Sequence, residues 1–197
     1  FREKKIVCFY KIPLPFCPFV NDVVKTVHRC EMVKRIAEEL DFYLLQMGNE
    51  GFLVEMQKDE LTGDVMTAYD NLLGDYTQKP DGRSVSALKK RINALEESEV
   101  SDRLYLARFL GFGTGNEILD LQVRPRGYRI LSRVPRLPQQ TINRIVDHFG
   151  GDFQRLCRAS VEELDDVDGV GRVRSNMIFR NLERQRDIAD SSMGHHH

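Results

Sequence analysis

Val167-Asp168-Gly169-Val170-Gly171, followed at once by Arg172 and Arg174, reads as a tight hairpin between two helices. Upstream, Ser160 stands three places before Glu163 in Ser160-Val161-Glu162-Glu163-Leu164, the signature of a capping box at a helix start. Downstream, Val173, Met177, Ile178 and Leu182 recur at helical spacing. Glycine adopts positive φ without penalty and lets another backbone come close. The first amides of a helix have no intrahelical acceptor and sit at the positive end of its dipole. A phosphate suits that environment. Gly-x-Gly by itself is weakly specific, because it also marks ordinary turns and helix ends.

Internal symmetry strengthens the reading. A shift of 33 places sets Val134-Pro135-Arg136-Leu137-Pro138 under Val167-Asp168-Gly169-Val170-Gly171 and pairs Tyr128 with Val161 and Leu131 with Leu164. It also pairs Ile145 with Ile178, Val146 with Phe179 and Phe149 with Leu182. Apolar positions match on both sides of both hairpins, which predicts two helix-hairpin-helix units around one small core. The turns differ in chemistry. Arg136 and Pro138 replace the two glycines, so the first turn offers a guanidinium where the second offers close backbone approach. A purely structural partner role for the first hairpin is the competing reading.

Charge follows the same division. The formal net charge of −1 conceals a stretch from 124 to 189 with 13 Arg against 9 Asp and Glu, whereas residues 1–123 hold 16 basic and 20 acidic residues. No lysine occurs in that second stretch. Guanidinium forks match phosphate oxygens, so an all-Arg complement on a small domain suits a polyanion. Arg172 and Arg174 stand in a first helical turn, where the dipole favours acids; Arg184 and Arg186 read as solvated charges at a helix end. Asp165, Asp166 and Asp168 read as a solvated cap and turn, and no compact catalytic or metal-ligand cluster accompanies the hairpins to suggest a nuclease or glycosylase.

The rest of the chain predicts helices. One long amphipathic helix spans Val23 to about Gln46, capped by Asn21 or Asp22. A second runs from Phe52 to Leu61, and a third starts at Asp64. After a loop at residues 77–82, Ser84 and Ser101 are expected to cap two further helices, and Arg124-Pro125-Arg126-Gly127 is the expected domain boundary. The expected division is 1–20 as an atypical N-terminal segment, 21–123 as a helical linker domain, 124–189 as the hairpin pair and 190–197 as a tail. Ile6 to Tyr10 is strand-like, and Pro13, Pro15 and Pro18 exclude a continuous helix, leaving a divergent remnant, a junction or an apolar arm as readings. Cys8, Cys17, Cys30 and Cys157 show neither zinc-site spacing nor a disulfide framework, which suits reduced thiols in a cytoplasm. The terminal histidines read as the residue of an expression tag. No stretch is long enough to span a membrane.

Several landmarks, in order, resemble the bacterial DNA integrity scanning family of diadenylate cyclases. They are Val27-His28-Arg29-Cys30-Glu31-Met32-Val33-Lys34-Arg35-Ile36-Ala37-Glu38-Glu39-Leu40, then Gln46-Met47-Gly48-Asn49-Glu50-Gly51 and Leu106-Ala107-Arg108-Phe109-Leu110-Gly111-Phe112. Arg126-Gly127-Tyr128-Arg129-Ile130-Leu131 and the two hairpins complete the series, and the resemblance covers residues 20–188. It implies an all-α linker domain followed by a tandem helix-hairpin-helix (RuvA domain 2-like) DNA-binding domain. The family's cyclase motifs, Asp-Gly-Ala and Arg-His-Arg, do not occur in this sequence, and Gly111-Phe112-Gly113-Thr114-Gly115 lacks the Lys-Ser/Thr of a nucleotide loop. The expectation is a chain with no catalytic residues, metal site or cofactor of its own; the family's cyclase domain would need ATP and a divalent metal. The resemblance further implies binding to branched DNA or Holliday junctions reported to the cyclase, a homo-oligomeric full-length parent, and a bacterial, nucleoid-associated location.

Gly169, Gly171 and Arg172 are the expected central contacts, with Val170 giving its backbone amide and Arg136, Arg174 and Gln139 supporting. The linker helices are expected to set the spacing to the rest of the protein. The competing function is a helical protein-interaction or oligomerisation module with structural hairpins.

Overall fold

The computed structural model describes residues 18–77 and 85–193, the side chains at 185 and 187–193 excepted. Among these the fold is all-α, and the extended pairing is a single isolated antiparallel bridge between Phe19 and Gln122. The strand-like Ile6–Tyr10 stretch, the Ser84 cap and the terminal histidines lie outside the described residues. The chain divides into two compact units, Pro18–Gln122 and Val123 onward.

The first unit is built on two long helices, α1 (Val20–Met47) and α2 (Phe52–Tyr76), joined by a 3-10 turn at Gly48–Gly51. The first helix begins earlier than expected, and neither Asn21 nor Asp22 caps it. Val20 donates its amide to the carbonyl of Leu121 at 2.8 Å, so the returning chain satisfies an end group that a polar cap would otherwise serve. The expected break between 61 and 64 is absent. Gly63 is carried inside α2 because Val65, Tyr69, Leu72, Leu73 and Tyr76 bury one face of a single helix, outweighing the ~1 kcal/mol propensity penalty of one glycine.

Three shorter helices follow: α3 (Val85–Asn93), α4 (Glu97–Ser101) and α5 (Arg103–Phe109). Ser101 ends α4 instead of capping its successor. The capping carboxylate is Asp102, accepting from the amides of Leu104 and Tyr105 at 2.9 and 3.1 Å. The Glu96–Glu99 capping box starts α4 and fully buried Val100 anchors it, which moves the break one residue along.

A buried carboxylate ties these helices together. Fully buried Glu31 accepts from the Tyr69 hydroxyl at 3.1 Å and from Arg35 Nε at 3.3 Å, with Lys34 Nζ at 3.4 Å. Arg35 also donates to the carbonyls of Leu95 (2.7 Å) and Ile92 (3.3 Å), satisfying acceptors at the end of α3. A carboxylate inside a core persists only when paired in this way.

The second unit holds α6 (Tyr128–Leu131), α7 (Gln139–His148), α8 (Phe153–Arg158), α9 (Val161–Asp165) and α10 (Arg172–Met193). Its core contains both members of the pairs Leu131/Leu164, Val134/Val167, Ile145/Ile178 and Phe149/Leu182. Ser160 and Glu163 form the expected capping box, with the Glu163 amide donating to Ser160 Oγ at 3.2 Å and the Ser160 amide to Glu163 Oε2 at 2.9 Å. Helix α10 runs past Ala189 to Met193, so Arg184 and Arg186 lie within it and not at its end, and residues 190–193 are helix where a tail was expected. The Arg186 guanidinium sits over the Phe179 ring at 5.7 Å.

Candidate nucleic-acid interface

Each half of the repeat is a short helix, a tight turn and a second helix, and the turns share a hydrogen-bond register. Val134 donates to Leu131 O as Val167 does to Leu164 O, and Leu137 to Val134 O as Val170 does to Val167 O. At the following helix start, Thr141 and Ile142 donate to Pro138 O at 2.9 and 3.1 Å, while Arg174 and Ser175 donate to Gly171 O at the same two distances. The left-handed position is also shared: Arg136 has φ +57° and Gly169 has φ +80°. The turns diverge at the next site but one, where Pro138 has φ −65° and Gly171 φ +35°.

In the second turn the apolar side chain and the glycines face opposite ways. Val170 is fully buried, and its amide is taken by the Val167 carbonyl at 3.0 Å. The amide role expected of Val170 is therefore unavailable. Among the described residues, the amides of Gly169, Gly171, Arg172 and Val173 have no protein acceptor, and all four residues are exposed. A methyl group placed on Gly171 would meet nothing within 4 Å, so the approach to these donors is open.

Arginines follow the turn directly on α10, and another stands in the related turn. Arg172 and Arg136 are exposed, and among the described residues their guanidinium groups have no protein partner. Arg174 Nη1 donates to Gly169 O at 2.8 Å, bracing the turn while leaving its other N–H groups available. Gln139, the first residue of α7, is exposed and reaches Asn143 Oδ1 at 3.4 Å. Ser175, buried at the start of α10, has its hydroxyl oxygen 3.0 Å from Gly171 O and 3.1 Å from Asp165 Oδ1, which fixes the helix start against α9.

Two residues depart from the expected pattern. Val173 was placed on the apolar face by its spacing but is 84% exposed beside the turn. Arg144, on α7, carries no mark in the sequence pattern. Its Nη1 lies 3.1 Å from Asp168 Oδ2 and 3.3 Å from Asp168 O, and 2.7 Å from where a side chain on Gly169 would begin. It thus bridges the second helix of one half to the turn of the other, neutralising an acid inside that turn. Its repeat partner at 177 is Met, so the symmetry that exposes the core carries no signal for it. Among the described residues no group of three or more His, Cys, Asp or Glu side chains is arranged to hold a metal ion.

Residues 19–119 match a family model described as the DisA bacterial checkpoint controller linker region. The chain belongs to this family. Relatives named DNA integrity scanning protein DisA extend the likeness across both units. The protein of Frankia alni is 39% identical over 177 residues, covering 88% of this chain and 48% of the relative. Those of Streptomyces griseus and Acidothermus cellulolyticus are each 40% identical over 177 residues, covering 88% of this chain and 46% and 47% of the relative. The chain therefore spans about half the length of the curated relatives it matches, as a linker and helical C-terminal region of the family. No described helix is long and apolar enough to cross a membrane.

Proposed function

We propose that this chain binds DNA by its phosphate backbone through a tandem helix-hairpin-helix unit, as the DNA-sensing part of a diadenylate cyclase. The observation that carries the reading is the second turn: an open helix start where unpaired amides of Gly169, Gly171 and Arg172 stand beside the arginines of α10. A phosphate oxygen there accepts from the amides and gains from the helix dipole. Arg172 adds a fork of donors, and Arg136 and Gln139 offer a second contact from the related turn, so the two halves can hold two phosphates of one strand or of two arms. None of these groups reads a base edge, which makes shape and branch geometry the selective feature. Branched DNA, with arms presented side by side, is the ligand class we favour, and its occupancy would be reported as inhibition of cyclic di-AMP synthesis from ATP in the whole protein.

Titration of labelled four-way junction and linear duplex with the full chain tests this. Gly169→Glu would also disturb Arg144, so Arg172→Glu combined with Arg136→Glu is the cleaner variant. Binding should fall at least roughly tenfold, with a shallower salt dependence because fewer counterions are released. Unchanged junction binding by the folded variant would sink the assignment. A protein-interaction module is the second reading, favoured by exposed Val173; it requires binding that barely responds to salt.

A further inference from the structure

The tip of the α1–α2 hairpin carries an apolar face without a partner among the described residues. Leu45 is 83% exposed and Leu53 70%, and Phe42, Met47, Phe52 and Met56 are exposed around them. The two helices run antiparallel, since Asp41 pairs with Lys58 and Glu31 with Tyr69, so these side chains gather at one end of the pair. Large clustered apolar exposure of this kind marks an interaction surface.

Charge decides what fits it. Residues 36–64 contain eight acids, Glu38, Glu39, Asp41, Glu50, Glu55, Asp59, Glu60 and Asp64, every one exposed, against a single base, Lys58. That lysine is already held by Asp41 and, at 3.1 Å, by Asp59. This end of the pair therefore combines exposed apolar side chains with a marked excess of exposed acids, and its single base is committed. A second copy of the same tip would bring like charge against like charge, and an anionic bilayer would be repelled by the same carboxylates.

We propose that the hairpin tip docks a basic amphipathic helix of another protein, its apolar stripe covering Leu45, Leu53 and Phe52 and its lysines or arginines meeting the exposed acids. Helix-in-groove recognition works in this way, with apolar anchors supplying affinity and charged residues supplying selectivity. The surface lies in the first unit, and its role is independent of DNA binding by the second.

The test uses the full chain with a labelled amphipathic Leu/Lys peptide, a Leu/Glu peptide of matching pattern, and phosphatidylcholine vesicles. Leu45→Ser with Leu53→Ser removes the anchors at exposed positions, where folding is little affected. The Leu/Lys peptide should bind the parent and lose roughly tenfold or more with that variant. It should also lose affinity with Glu39→Lys and Glu55→Lys, while junction binding stays as in the parent. Equal binding of the Leu/Glu peptide, undiminished binding by the Leu-to-Ser variant, or adsorption to the vesicles would overturn the proposal. So would sedimentation showing the parent as a dimer that the Leu-to-Ser variant dissociates, because the occupant would then be a second copy.

Discussion

Arg136 holds the left-handed backbone that its counterpart Gly169 adopts at no steric cost, and it is the one non-glycine with positive φ among the described residues. A bulky residue there carries roughly 1–2 kcal/mol of strain, the kind retained where a side chain has a task. Arg136→Gly should leave the melting temperature unchanged or slightly raised, since relief of strain is offset by the extra freedom of the unfolded chain. Junction affinity should fall. A marked drop in stability instead would show that the turn is held by the arginine itself. The glycines make the complementary case. Gly169→Ala meets both φ +80° and the Arg144 guanidinium, and should cost about 1–2 kcal/mol in urea unfolding; Gly171→Ala, facing open space at φ +35°, should cost less while still weakening DNA binding. The glycine spacing and the arginines were legible in the sequence. The loss of Val170's amide to Val167 was not, because it depends on how tightly the turn closes, and neither was Arg144, which meets Asp168 only once the two halves pack.

Among the elements, the 33-residue repeat was readable because burial repeats with it: Leu131 and Leu164 are both fully buried. Helix boundaries were less readable. Ser160 announced its helix through a local bond to Glu163, whereas α1 begins at Val20 because a carbonyl about a hundred residues later accepts its amide, a non-local cause no spacing displays. A break was expected between Leu61 and Asp64, yet α2 passes through Gly63 without one. The position is exposed, helical, and a methyl there meets nothing within 4 Å. Gly63→Ala should therefore stabilise the chain by about 1 kcal/mol, measured as a rise in the urea midpoint of the first unit. A destabilised variant would mean that α2 is broken at that point in solution.

At the scale of the whole molecule, stability should depend on pH through the Glu31 network. Burial pushes the Cys30 thiol from 9.0 to about 12, and the neighbouring Glu31 carboxylate adds to the rise. Burial, then Glu31, likewise raises the Tyr69 phenol. On raising the pH the unfolded chain ionises first, so the contribution of these groups is complete below about 9 and is lost as pH climbs toward about 12. Calorimetry should show the first unit melting at steadily lower temperature above about pH 9; a flat alkaline profile would contradict the buried network.

The bridge between Phe19 and Gln122 has a mechanical consequence for the same unit. The chain enters and leaves through paired backbone, so a pull on Val123 reaches Phe19 across one ladder rung without passing along α1 or α2. The helices branch from that paired backbone. Adding a full turn to each at the Gly48–Gly51 tip should leave the Phe19–Gln122 pairing where it is.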